Sequence, residues 1–495
     1  MKFGRTMVVV AAFALNLAAC DQQQDQSEIS DEDVQGTAEM TQAIEEIAPD
    51  QMALLQDKRV LDDFAKTLDS EKTTHIQRVI SPGGIEAWLV EEHAVPLIAV
   101  EVGFSGGARR DPEGKEGLAY LMSGLLDEGA GDLDAEAFQT RLEDLSIRLS
   151  FDAGLDGFYG SLRMLKEKRD DGFDLLRLAL TKPRFDAEPV ERIRSQILVR
   201  LKRDMTSPRT IAQRTWFEEE FGDHVYARPV RGTPETLPGI TADDLRGFLG
   251  RALARNNLKI SVVGDISAEV LGPLLDQTFG ALPAKAAPEN IPQAHIPVEG
   301  RLIVVERSQP QSIVFFGGPG ILLDDPDFFP AFVMNYILGG GGFSSRLMEE
   351  VREKRGLAYG VSTSFNPYDY AGVFFGSVAT ENERIAKSLS VIKEEIARMR
   401  DGGVTDKELQ DAKTYLTGSF PLRFDSNARI ANQLVGYQMT GRGIDYIDTR
   451  NDKIEAVTRD DIARVAARLL NPDDLTFVVV GEPKGLEPDI LKNAP

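Results

Sequence analysis

The sequence predicts an α+β fold of two homologous domains, each a mostly antiparallel sheet covered by helices. The first observation is length, since 495 residues exceed one ordinary domain. The second is self-similarity. Three blocks recur 216 or 217 residues later: 158–161 as 374–377, 241–245 as 458–462, and 257–264 as 474–481. Blocks that recur at one offset indicate two copies of one structural unit.

The same order of elements is predicted in both copies. A strand opens each copy, a helix and an alternating strand follow, two or three helices come next, and a last strand closes the sheet. These segments are 96–104, 116–126, 147–162 and 260–263 in the first copy, and 312–317, 330–338, 360–379 and 477–480 in the second. Thr241 and Thr458 are predicted N-caps, because acidic residues follow each in the first turn.

The N-terminus has the features of an export signal. Residues 1–19 carry two basic residues, then an apolar run too short to span a bilayer. The run ends in LAAC, which resembles a bacterial lipoprotein box, and Cys20 is the chain's single cysteine. Cys20 is therefore the predicted lipidation site, and an ordinary secretory signal with a chance cysteine is the alternative. We expect a periplasmic protein that is anchored by lipid to the inner or the outer membrane, and the sequence leaves this choice open.

The remaining chain divides into three predicted parts. Residues 20–72 are polar and acidic, which is typical of a spacer. The two domains are predicted at 73–290 and 298–487. The chain has 56 Lys and Arg against 79 Asp and Glu, a net charge of −23. Such an acidic chain lacks the basic surface that nucleic acid requires, so no nucleic-acid partner is expected.

One segment resembles a known enzyme family. Residues 103–129 read GFSGGARRDPEGKEGLAYLMSGLLDEG, which resembles the opening of the insulinase/pitrilysin family of zinc metallopeptidases. In that family, H-x-x-E-H follows at the place that begins with Tyr120, where two histidines bind zinc and the glutamate acts as general base. Tyr120, Ser123 and Gly124 occupy those positions here. None of them is an imidazole, a thiolate or a carboxylate, the groups that bind zinc.

The third zinc ligand is absent as well. The resemblance places it as a glutamate in a stretch that reads Ile197-Leu198-Val199-Arg200-Leu201 here. Neither Val199 nor Arg200 can bind zinc. The four histidines do not pair at the spacing of a helical zinc motif. The sequence therefore predicts no metal and no cofactor in this chain.

The second copy keeps a different part of the family pattern. Arg352 and Tyr359 stand seven residues apart in SSRLMEEVREKRGLAYG. The resemblance implies that this arginine holds a substrate carbonyl and that the tyrosine donates a hydrogen bond near the scissile group. Gly356 is predicted to end the helix that carries Arg352, with Tyr359 on the next strand. The alternatives are an Arg352–Glu349 ion pair and a buried Tyr359.

The resemblance also implies an assembly. Family members pair two such halves as a clam shell, and some bacterial members divide the zinc motif and the arginine–tyrosine pair between two subunits. This chain is therefore expected to be the non-catalytic subunit, with zinc in a paralogous partner and a peptide as substrate. One alternative is a peptidase-like scaffold without a proteolytic role. An independent enzyme with unusual ligands is a third.

Overall fold

The computed structural model describes residues 75–494. The signal peptide, Cys20 and the whole spacer lie outside the described residues and stay predictions. One compact unit contains 76–416 and 426–494, while His75 and 417–425 belong to a second unit. In that second unit, Phe420–Phe424 form a 3-10 turn. Every helix within 75–494 is too short or too polar to span a bilayer.

The first sheet has six strands in the order β1-β2-β6-β3-β5-β4. All neighbours are antiparallel except β2 and β6, which run parallel. Its strands are β1 (Gln77–Ile80), β2 (Glu86–Glu91), β3 (Leu97–Ser105), β4 (Arg148–Ala153), β5 (Gly157–Leu165) and β6 (Leu258–Gly264).

The second sheet repeats the order of five of these strands from another part of the chain, and its sixth strand comes from the C-terminal end of the described residues. Its strands are β7 (Leu302–Glu306), β8 (Gln311–Pro319), β9 (Gly360–Tyr368), β10 (Ala371–Glu381), β11 (Thr476–Gly481) and β12 (Ile490–Asn493). They lie in the order β12-β7-β11-β8-β10-β9, with β7 parallel to both β11 and β12. The predicted α+β class with two mostly antiparallel sheets is confirmed.

Helices cover both sheets. In the first half they are α1 (Leu118–Ser123), α2 (Ala135–Asp144), α3 (Arg169–Thr181), α4 (Ala187–Asp204), α5 (Pro208–Phe221), α6 (Ala242–Ala252) and α7 (Ala268–Phe279). In the second half they are α8 (Phe328–Asn335), α9 (Ile385–Gly402), α10 (Asp406–Gly418), α11 (Asn427–Met439), α12 (Tyr446–Glu455) and α13 (Arg459–Leu469). Thr241 and Thr458 form capping boxes at α6 and α13, as predicted.

The two halves exchange one helix each. Helix α5 of the first half packs on the second sheet, where the Trp216 ring lies 4.5 Å from the Phe375 ring. Helix α11 of the second half packs on β3 and β6 of the first sheet. There Ser261 Oγ donates a hydrogen bond of 2.5 Å to the Ala431 carbonyl. The exchange buries apolar surface of each half against the other, so neither sheet is covered by its own copy alone.

Five predicted segments needed correction. The alternating segments 147–162 and 360–379 are hairpins, β4–β5 and β9–β10, rather than single strands. Strand alternation continues with the same period through a tight turn, so periodicity alone hides the turn. Helix 116–126 is only α1 at Leu118–Ser123. The strands predicted to close each sheet, β6 and β11, lie inside their sheets.

Candidate functional site

The N-terminus of α1 is held by a buried carboxylate. Asp111 accepts hydrogen bonds from the backbone N–H groups of Gly117, Leu118 and Ala119, at 2.9, 3.1 and 2.9 Å. These are N–H groups that a helix leaves without an internal partner at its start. Asp111 therefore fixes the direction in which α1 presents Tyr120.

Four degenerate positions of the zinc motif line one cleft of about 240 Å³. Tyr120, Ser123 and Gly124 contribute from the end of α1, and Arg200 contributes from α4. The other lining residues are Phe151, Asp152, Ile193, Gln196 and Ile197. The tertiary structure thus brings together positions that lie about 80 residues apart in the sequence.

Val199 does not belong to this cleft. Its side chain is 70% exposed and it is not among the lining residues. The adjacent Arg200 occupies the cleft instead. On a helix, neighbouring positions point about 100° apart, so only one of the two can face α1. The sequence left the choice between the two positions open, and of the two only Arg200 lines the cleft.

The cleft has the wrong chemistry for a cation. Ser123 Oγ donates a hydrogen bond of 2.8 Å to the Tyr120 carbonyl, and the Arg231 guanidinium lies 5.6 Å from the centroid of the Tyr120 ring. Arg200 adds a positive charge where zinc would need an anion. Across residues 75–494, no cluster of three His, Cys, Asp or Glu side chains has a metal-binding arrangement.

The histidines have other surroundings. His93 Nδ1 lies 2.6 Å from an Asp265 oxygen, and this hydrogen bond raises the pKa of the exposed imidazole. His224 accepts a hydrogen bond from the Tyr226 N–H at the start of a 3-10 turn. His75 and His295 are exposed.

Arg352 lies at the end of the helical segment Met348–Glu353, which is of the π type. Gly356 has a left-handed φ of 57° and its N–H donates to the Arg352 carbonyl at 2.8 Å. The bond from Gly356 is the 5→1 bond of an αL C-cap, and the Leu357 N–H donates to the Val351 carbonyl at 2.9 Å. Arg352 therefore lies on the last turn, as predicted, and the cap fixes how the chain leaves toward Tyr359.

Both simple alternatives for the pair are wrong. Glu349 pairs with Lys354 at 2.9 Å, and Arg352 has no carboxylate partner within the described part of the chain. The Arg352 guanidinium instead lies 4.6 Å from the centroid of the Phe343 ring. Tyr359 is 80% exposed and immediately precedes β9, so it is not a core aromatic.

Comparisons with known proteins agree with this architecture. Residues 239–416 match the family model described as the Peptidase M16 inactive domain. A crystal structure of a peptidase M16 inactive domain from Pseudomonas fluorescens is 30% identical, has a TM-score of 0.78, and covers 84% of this chain and 99% of its own. This chain belongs to the M16 family, the insulinase/pitrilysin family. Its resemblance to the form that lacks the zinc motif is confirmed.

The descriptions of two curated relatives of this M16 protein differ in whether they imply peptidase activity. A Helicobacter pylori protein described as a non-peptidase homolog is 29% identical over 395 residues, which is 80% of this chain and 91% of that one. A Streptomyces coelicolor protein described as an uncharacterized zinc protease is 25% identical over 401 residues, covering 80% and 87%. Together with the cleft, these findings support a non-catalytic, peptidase-like M16 protein.

Sequence reasoning missed Phe343 as a site residue of this M16 protein. Its ring is 59% exposed, in a turn that follows the glycine run 339–342. The sequence carried no signal for this role, because only the structure shows the exposure of the ring, and single exposed apolar side chains are common. Its partner, Arg352, is nine residues away, a spacing that no helical or strand period brings into contact.

Proposed function

We propose that this chain is the non-catalytic, substrate-binding subunit of a heterodimeric zinc metallopeptidase. A zinc-bearing paralogous subunit supplies the metal, the general base and the attacking water. This chain supplies Arg352 and Tyr359 to the partner's site. The assembly is periplasmic, and Cys20 anchors the chain to a membrane through lipid.

The proposal rests on the lack of a carboxylate partner for Arg352 in the described part of the chain and on the exposure of Tyr359. Arg352 has no carboxylate partner among residues 75–494, and the Tyr359 side chain is 80% exposed. By contrast, Arg355, three residues from Arg352, pairs with Glu350. Exposed arginines gain little from pairing, but an arginine held by an aromatic ring keeps all its N–H donors available. The pair is thus preserved as hydrogen-bond donors, while the zinc positions are lost.

These two donors fit peptide hydrolysis at a neighbouring metal. The Arg352 guanidinium donates to a main-chain carbonyl of the peptide and orients it. The Tyr359 hydroxyl donates to the oxygen on which negative charge develops as water attacks. The peptide lies extended along a free sheet edge, and β4 and β9 are such edges of the two sheets.

The test uses the complex purified from its native cells. Arg352→Ala and Tyr359→Phe should each lower the peptidase rate by roughly 10²-fold, the loss typical of one transition-state donor. Arg355→Ala is the matched control, since Arg355 lies on the same helix end but pairs with Glu350. We expect it to leave the rate nearly unchanged, because the buried Glu350 carboxylate keeps Lys354 as a second partner at 2.7 Å. Unchanged rates in Arg352→Ala and Tyr359→Phe would overturn the proposal.

A peptidase-like scaffold is the second candidate, favoured by the description of the Helicobacter pylori relative as a non-peptidase homolog. A scaffold role predicts a complex without peptidase activity, or one whose peptidase rate does not depend on Arg352 and Tyr359.

A separate experiment measures zinc content and peptide cleavage of the chain from residue 21 onward, without a partner. Stoichiometric zinc with chelator-sensitive cleavage would contradict both candidates. For localisation, Cys20→Ser should move the chain from the membrane fraction to the soluble periplasmic fraction.

A further inference from the structure

The cleft between α1 and α4 retains a cation that nothing in the described chain neutralises. Arg200 lines the cleft and has no ion pair within residues 75–494. Two other arginines on α4 are paired: Arg192 with Glu128 at 2.5 Å, and Arg194 with Glu191. In a chain of net charge −23, carboxylates are abundant, so an unpaired arginine in a concave site is notable.

The other polar groups of the cleft suit one kind of ligand. Tyr120 and Gln196 bring a hydroxyl and an amide that donate hydrogen bonds. Asp152, near the end of the edge strand β4, is the single carboxylate that lines the cleft, and it does not pair with Arg200 in the structure. The cleft therefore offers several donors, one full positive charge and one acceptor.

We propose that this cleft binds the C-terminal end of a peptide. The terminal carboxylate binds the Arg200 guanidinium, which matches a carboxylate with two parallel N–H groups. The main-chain N–H of the same terminal residue donates to Asp152. The inference deepens the proposed function and rests on it only in taking a peptide as the ligand.

Size and charge favour this ligand over larger anions. A cleft of about 240 Å³ is smaller than the usual site for a drug-sized molecule, so it admits only the end of a chain. A phosphate dianion would meet Asp152 as well as Arg200, and like charges at short range are unfavourable. A peptide terminus carries one negative charge and one N–H donor, which matches the two charged groups present.

The test measures peptide binding by the chain from residue 21 onward, without a partner. The probe is a short fluorophore-labelled peptide of glycine, alanine and leucine, prepared as a free acid and as a C-terminal amide. Anisotropy titrations should show the free acid bound at least about tenfold more tightly, the worth of one charge-assisted hydrogen-bond pair. A third peptide, amidated but with one internal glutamate, distinguishes a terminal carboxylate from an acidic side chain.

Matched variants assign the effect to the cleft. Arg200→Ala should abolish the preference for the free acid. Arg203→Ala should preserve it, because Arg203 is exposed on the same helix but does not line the cleft. Three results would each overturn the inference. The wild-type chain could bind the free acid and the amide equally, or Arg200→Ala and Arg203→Ala could lose the preference for the free acid equally. The amide with an internal glutamate could also bind as tightly as the free acid. Arg352→Ala should leave the preference intact, so a failure of the proposed function is separable from a failure here.

Discussion

The guanidinium carbon of Arg352 lies 4.6 Å from the centroid of the Phe343 ring. This contact joins the turn after the glycine run to the last turn of the segment Met348–Glu353. A cation over an aromatic face is held by the ring quadrupole without using its N–H donors. Phe343 therefore holds the Arg352 guanidinium in place while leaving its N–H donors available.

Phe343→Leu should lower the peptidase rate of the proposed complex by about 3- to 10-fold, since the cation–π contribution is about 0.5–1 kcal/mol when exposed and larger when desolvated. Phe343→Trp should retain the rate, because it keeps the π face that leucine lacks. The deciding measurement is the rate of the double variant with Arg352→Ala. If Phe343→Leu still lowers the rate in that background, Phe343 does not act through Arg352.

The structure indicates which substitutions should restore a zinc-binding site. We expect a chain carrying Tyr120→His, Ser123→Glu, Gly124→His and Arg200→Glu to bind zinc, since these positions line one cleft. A chain that carries the first three substitutions together with Val199→Glu should not bind zinc, because Val199 is 70% exposed and lies outside the cleft. Metal content after dialysis measures both. Equal zinc in the two chains would show that the cleft assignment of Arg200 is wrong.

Substitutions of Trp216 test the packing of helix α5 on the second sheet. Its side chain is fully buried between α5 and the second sheet, 4.5 Å from the Phe375 ring. Trp216→Ala should lower the free energy of unfolding by roughly 3–5 kcal/mol, as for other large-to-small changes in a core. Trp216→Phe should cost less, because it keeps a ring and removes a buried indole N–H that has no hydrogen-bond partner among residues 75–494. Urea denaturation gives both values, and a change under about 1 kcal/mol for Trp216→Ala would contradict this packing.

Glu101 should make stability depend on pH. It is buried in β3, accepts a hydrogen bond of 2.7 Å from Ser161, and burial raises its pKa to about 7. The folded state therefore binds a proton more tightly than the unfolded state, so stability falls as pH rises from about 4.5 to about 7.

Glu101→Gln removes this titration. The stability of the variant relative to wild type should rise by about 2–3 kcal/mol between about pH 5 and about pH 8. Thermal or urea unfolding across this range provides the measurement. Parallel pH profiles for the two proteins would show that Glu101 titrates normally in the folded state.

Arg109 holds together a junction of the two halves. Its buried guanidinium pairs with Asp156 at 2.9 Å, Glu289 at 3.1 Å and Asp369 at 2.5 Å. Arg109→Ala should cost roughly 3–5 kcal/mol, because it leaves Asp156 and Asp369 without their cation in a partly buried site, while Glu289 keeps Arg110. Arg109→Lys should recover only part of this, since an ammonium cannot reproduce the planar fork.

The matched control for Arg109 is Arg141→Ala. Arg141 pairs with Asp171 at 2.6 Å on the surface, where both side chains are exposed. An exposed ion pair contributes about 0–1 kcal/mol, so this variant should unfold almost as wild type does. Similar losses for Arg109→Ala and Arg141→Ala would mean that the junction adds nothing to stability.

Much of the fold and part of the site followed from local sequence. The N-caps Thr241 and Thr458 were predictable because a capping box is made within one helical turn. The cap at Gly356 was predictable for the same reason. The missing zinc ligands could be read directly, since residue type alone decides whether a side chain can bind zinc.

Other features depend on contacts between distant segments. Local patterns could not show that α5 covers the second sheet and α11 the first, nor that Phe343 contacts Arg352. They also could not choose between Val199 and Arg200, because that choice depends on the rotation of α4 against α1. The sequence by itself determined the fold class, the helix caps and the loss of zinc ligands, each of which depends on residue type and near neighbours. Only the tertiary structure decided the helix exchange, the cleft and the Arg352–Phe343 contact, because packing of side chains far apart in the chain sets them.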